Sequence, residues 1–141
     1  MKKYVLIAIT LACCMYSAGT AGTAEVSPYG KRVRFVAGTY VNYPDFAIRF
    51  IGTRREVPKM YPRGWLVYDF EVRAKSGETI KVAWSAGTGN IAPATFAVGG
   101  REYFLELKAT AFKSDSRQQW LKDDEMIIWT KEVYVRKLEK Q

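Results

Sequence analysis

Histidine is absent from the 141 residues, and the two cysteines, Cys13 and Cys14, both lie close to the N-terminus. Without imidazole there is no Ser-His or Cys-His nucleophile pair, no His-ligated zinc or haem, and no side chain that ordinarily titrates near neutral pH. Long apolar runs are missing too. The longest, Tyr4 to Tyr16, has 13 residues, short of the roughly 20 that a membrane-spanning helix needs. Several chemical signatures are also absent: no EF-hand loop, no phosphate loop ending in Gly-Lys-Ser/Thr, and no Ser-x-x-Lys spacing after residue 24. No cofactor is expected.

What is present is the composition of a globular protein, 48% apolar, 26% charged and 14% aromatic. The length suits one domain. Lys2 and Lys3, the apolar run and the small residues Ser17 to Ala24 have the order of a secretory signal: positive region, apolar region, small-residue cleavage zone. Residues 1–24 are therefore expected to be a signal peptide and residues 25–141 a single exported β-domain, periplasmic or secreted. Cleavage before Glu25 is favoured, with the same small-residue pattern three positions earlier as a second choice. Leu11-Ala12-Cys13 also resembles part of a bacterial lipobox, with Thr10 where Leu is usual. Cys13 is accordingly a possible lipidation site and a lipid-anchored form the alternative localisation.

Removal of the signal leaves 117 residues with 20 basic and 14 acidic side chains, a net charge of +6. No cysteine remains. Disulfides, which often support small exported domains, are then unavailable to the fold, and apolar packing with 18 aromatic residues must hold it.

Period-2 alternation dominates this part of the chain. Val33 and Phe35 oppose Arg32 and Arg34, and Phe46, Ile48 and Phe50 repeat the pattern after Pro44-Asp45. Leu66 to Arg73, the turn Lys75-Ser76-Gly77-Glu78 and the alternating Ile80, Val82 and Trp84 predict a hairpin, with Trp84 in the core. A second hairpin is expected across Gly99-Gly100, with Phe96 and Val98 before it and Tyr103, Leu105 and Leu107 after it. The last strand is placed at Met126 to Arg136, with Trp129, Ile127, Val133 and Val135 on one face. A short peripheral helix is expected at Asp115 to Lys122, carrying Trp120. About seven strands and no long amphipathic helix point to an all-β fold, a small antiparallel β-sandwich or a partly open β-barrel. All five prolines fall outside the predicted strand cores.

Three features bear on function. Trp84 to Pro93 forms a Gly-rich loop in which Ser85, Thr88 and Asn90 are candidate binding residues, backbone N–H groups there being able to hold an anion. The simpler use of its glycines is to satisfy backbone angles between strands. Asp69 with Glu71, and Glu102 with Glu106, share strand faces and are the remaining acid/base candidates. Nearby Arg49, Arg73, Lys81 and Lys108 suit them equally to cross-strand charge pairing, and Asp123-Asp124-Glu125 reads as a solvated turn. Basic residues cluster as Lys31, Arg32 and Arg34, then Arg54, Arg55, Lys59 and Arg63, and finally Lys131, Arg136, Lys137 and Lys140, with Tyr61 and Trp65 interleaved. The candidate basic patch is Arg32, Arg34, Arg54, Arg55, Lys59 and Arg63.

Export selects the partner: an envelope protein, an anionic envelope polymer or a lipid surface, with no nucleic acid expected in vivo. The function expected is that of a non-catalytic binding or structural module of a bacterial cell envelope. The alternatives are a carboxylate-dependent hydrolase and an accessory subunit of a larger envelope assembly. An exposed apolar edge strand at Met126 to Arg136 would mark the last of these.

Overall fold

Both predicted hairpins form, each for a local reason. The computed structural model describes residues 25–85, 92–107, 121 and 123–140. β1 (Arg32–Arg34), β2 (Tyr40–Asn42), β3 (Phe46–Glu56), β4 (Trp65–Ala74), β5 (Thr79–Ser85), β6 (Ala94–Val98), β7 (Arg101–Leu107) and β8 (Glu125–Thr130) precede one helix, α1 (Lys131–Glu139). Between β4 and β5 the Gly77 N–H donates to the Ala74 carbonyl at 3.0 Å. Between β6 and β7 the two turn residues, Gly99 and Gly100, have φ of 56° and 77°. Two successive positive φ values are what the tight hairpin turn demands, and side chains resist them.

The strands make two antiparallel sheets, in the orders β2-β3-β4-β5 and β1-β8-β7-β6. This is the sandwich, one of the two architectures expected, with eight strands among the described residues. Its core is the sum of the two inner faces. Ile48, Phe70, Val72 and Trp84 come from one sheet, and Tyr103, Leu105, Leu107, Met126 and Ile128 from the other. The alternation read from the sequence is therefore the physical division between core and surface.

The end of the chain differs from expectation. The strand placed at Met126 to Arg136 stops at Thr130, and Val133 and Val135 belong to α1. Thr130 is extended and its side chain accepts from the Val133 N–H, capping the helix. Glu132 sits in the first turn and Arg136 and Lys137 in the last, matching the helix dipole. The helix covers the outer face of β7 and β8. Tyr134 stacks on Phe104 at 4.7 Å, and the Lys137 ammonium lies over Trp129 at 4.7 Å. Trp129 keeps the predicted parity with Ile127, but its cover is this helix and not a longer strand. β8 is an interior strand between β1 and β7, so it is not the exposed edge that would mark an assembly subunit.

Glu125 is a second correction. It is buried, at 6% exposure, and pairs with Arg32 at 3.4 Å, so only Asp123 and Asp124 form the solvated turn. The signal segment, Cys13, Trp120 and nearly all of the predicted helix lie outside the described residues; Leu121 within it is buried.

Candidate functional site

β3 and β4 are the two longest strands among the described residues, and within those residues they outrun their neighbours. β2 pairs only with Ala47 to Arg49 of β3, and β5 only with Val67 to Arg73 of β4. Beyond these limits β3 and β4 continue paired with each other to Glu56 opposite Trp65. A two-stranded arm results. A register shift between Phe50 and Gly52 reverses the alternation, so that Thr53 and Arg55 stand opposite Tyr68 and Leu66. Leu66 thus keeps core parity but is 45% exposed.

The arm's tip, residues 57–64, is built from two consecutive turns. The Tyr61 N–H donates to the Pro58 carbonyl at 2.9 Å, and the Gly64 N–H to the Tyr61 carbonyl at 2.8 Å. Pro62 presets φ in the second turn. Gly64 has φ of 60°, and a Cβ there would stand 2.3 Å from the Glu56 carbonyl oxygen. The Arg55 guanidinium donates to the Arg63 carbonyl at 2.7 Å, fastening the tip to the stem. Tyr61 and Trp65 rings meet at 5.5 Å.

Apolar side chains that a water-facing turn does not need are concentrated here. Met60 is 85% exposed, and Val57 and Tyr61 are exposed beside it. Three of the six predicted patch residues lie on the same arm, Arg55, Lys59 and Arg63, and Arg54 stands at its base opposite Val67. Arg54 is committed to Glu56 and to Asp69, the latter at 2.9 Å, and these carboxylates, Glu56 first, hold its guanidinium still more firmly protonated. Arg55, Lys59 and Arg63 have no carboxylate partner among the described residues. Arg32 and Arg34 are elsewhere, on β1 of the other sheet, with Arg34 at 3.8 Å from Asp124. The six residues do not form one strand-pair patch.

The acidic candidates are separated by the same topology. Asp69 and Glu71 line a groove of about 640 Å³ on the outer face of the first sheet, with Arg49, Arg54 and Lys81. Glu71 accepts from the Tyr40 hydroxyl at 2.5 Å and pairs with Arg49 at 2.9 Å. The tyrosine hydrogen bond, then Arg49, keeps the Glu71 carboxyl below the usual range. Arg49 and Arg73 both lie over the Tyr40 ring. Glu102 and Glu106 are on the outer face of the other sheet, paired with Lys131 at 3.0 Å and Lys137 at 2.9 Å. Glu106 also accepts from the Trp129 indole N–H. Each of the four carboxylates therefore has a cationic partner, across strands for Asp69 and Glu71 as expected, but from α1 for Glu102 and Glu106.

Ser85 ends β5 and is half-buried; Thr88 and Asn90 lie outside the described residues. Among the described residues no cluster of three acidic side chains is placed to hold a metal ion. No described helix is long and apolar enough to cross a membrane. Sequence inspection identified the arm's cations but missed Val57, Met60 and Leu66. The signal was there in Val57-Pro58-Lys59-Met60-Tyr61-Pro62: apolar residues between two prolines, where turns ordinarily carry polar ones. No protein family, curated protein or solved structure matches the chain.

Proposed function

We propose that the chain is an exported, non-catalytic binding module of a bacterial cell envelope, engaging an anionic envelope component through the β3–β4 arm. The observation that carries this reading is the coincidence, on one prefolded projection, of exposed Met60, Tyr61, Val57 and Leu66 with Arg55, Lys59 and Arg63, cations that have no carboxylate partner among the described residues. Cations not neutralised by a carboxylate attract an anionic surface, and exposed apolar groups strengthen the contact once water is excluded. The non-catalytic part of the reading is supported by the ion pairing of Asp69, Glu71, Glu102 and Glu106.

Retention on envelope fractions of the host, washed at low and then high salt, tests the proposal. The protein should be held at low salt and released as screening rises. Combined Arg55→Glu, Lys59→Glu and Arg63→Glu replacement should abolish retention. Equal retention of this variant would overturn the reading.

A further inference from the structure

Resting on that function, we propose that the partner is an anionic phospholipid bilayer. Met60 and Tyr61 enter the headgroup layer while Arg55, Lys59 and Arg63 hold the phosphates. The apolar part of the arm decides between anions. An acidic polysaccharide offers charge and hydroxyls, and would leave the Met60 side chain, 85% exposed, with nothing to cover it. A bilayer interface offers both chemistries at adjacent depths.

The arrangement of residues follows that gradient. Met60 and Tyr61 lie centrally in the tip, with Lys59 and Arg63 flanking them in the chain and Arg55 tied to Arg63 through its carbonyl. Long cationic side chains keep their charge at the headgroups while their stems lie along apolar surface. Tyr61 and Trp65 are the amphipathic aromatics that favour the membrane–water boundary. Insertion is shallow, because backbone groups cannot enter hydrocarbon unpaired. The two turn hydrogen bonds at Tyr61 and Gly64 already satisfy part of the tip. Since those bonds and the Arg55 to Arg63 contact preform the loop, little ordering is left to be done on binding.

Vesicle flotation tests the proposal, using full-length protein in which Cys13→Ser and Cys14→Ser remove any acyl anchor. All variants share the same N-terminus, so only differences between arms are read. Vesicles of phosphatidylcholine alone are compared with vesicles containing phosphatidylglycerol. The unaltered arm should bind the anionic vesicles more tightly than the neutral ones. Reversing Arg55, Lys59 and Arg63 to Glu should weaken anionic binding by at least roughly 100-fold, about fivefold for the loss of each cation, with repulsion by the added carboxylates beyond that. Reversing Lys31, Lys75 and Lys140, an equal change of charge off the arm, should have a much smaller effect. Met60→Asp should weaken binding at least about tenfold, and matched melting curves verify that the fold is kept. Unchanged binding of Met60→Asp, or an equal effect of the arm's charge reversal on both vesicle types, would overturn insertion at an anionic interface. Arm-dependent retention on envelope fractions without vesicle binding would replace lipid with an acidic protein or polymer and leave the proposed function standing. Loss of arm dependence in both assays would remove that function as well.

Discussion

Tyr29 and Tyr103 donate to the same oxygen of Asp45, at 2.7 and 2.8 Å, joining the β2–β3 turn to the N-terminal segment and to β7. Burial and the carboxylate hold the Tyr29 hydroxyl firmly protonated. The same hydrogen bonds, Tyr29 first, keep the Asp45 carboxyl below the usual aspartate range. Tyr43 stacks on Tyr29 at 5.5 Å, yet its buried hydroxyl has no partner among the described residues. Three tyrosines in one cluster thus behave differently on loss of the hydroxyl. Tyr29→Phe and Tyr103→Phe should each cost about 1–2 kcal/mol, whereas Tyr43→Phe should be neutral or stabilising, as read by denaturant titration. The depressed Asp45 pKa also sets a pH dependence. A lowered native pKa contributes stability above the unfolded carboxyl's range, about pH 4, and that contribution is lost as pH falls through the native value. Asp45→Asn should therefore be less stable at neutral pH and should flatten the acid side of the stability curve. An unchanged acid slope would exclude Asp45 as its source.

Among the elements, hairpins were legible because alternation and turn residues are local signals. Gly77 and Gly99-Gly100 name their turns without reference to the rest of the chain. α1 was not legible: Val133, Tyr134 and Val135 are strand formers, and covering Phe104 and Trp129 outweighs that preference. Thr130 as cap, with Glu132 early and Arg136 and Lys137 late, was the available clue. The arm was hidden for another reason. Leu66 carries the parity of a core residue yet is 45% exposed, and period-2 patterning does not say which residues of a long strand stay covered. Gly64 provides the element's own test. Alanine there meets the Glu56 carbonyl and a positive φ, a local strain of about 1–3 kcal/mol. If the arm opens independently of the core, the strain is relieved there. Gly64→Ala should then speed proteolysis within residues 57–64 while the melting temperature falls by less than the roughly 4–12 °C that the same strain borne by the whole domain would cause. A large fall in melting temperature with no change in cleavage would mean that the arm folds as part of the core.

For the whole molecule, the division is between a sandwich closed by two inner faces and an arm that projects from one of them. The core accounts for the alternation that fills most of the chain; the arm collects the apolar residues and cations that the core does not use. Composition announced the basic surplus, but only the topology separates Arg32 and Arg34, on β1, from Arg55, Lys59 and Arg63. The sharpest test is hydrogen exchange of the protein free and bound to host envelope fragments. Slowed exchange confined to residues 54–66 is the predicted result. Protection centred on the Arg49–Glu71 groove or on β6, with the arm exchanging as in the free protein, would contradict the account.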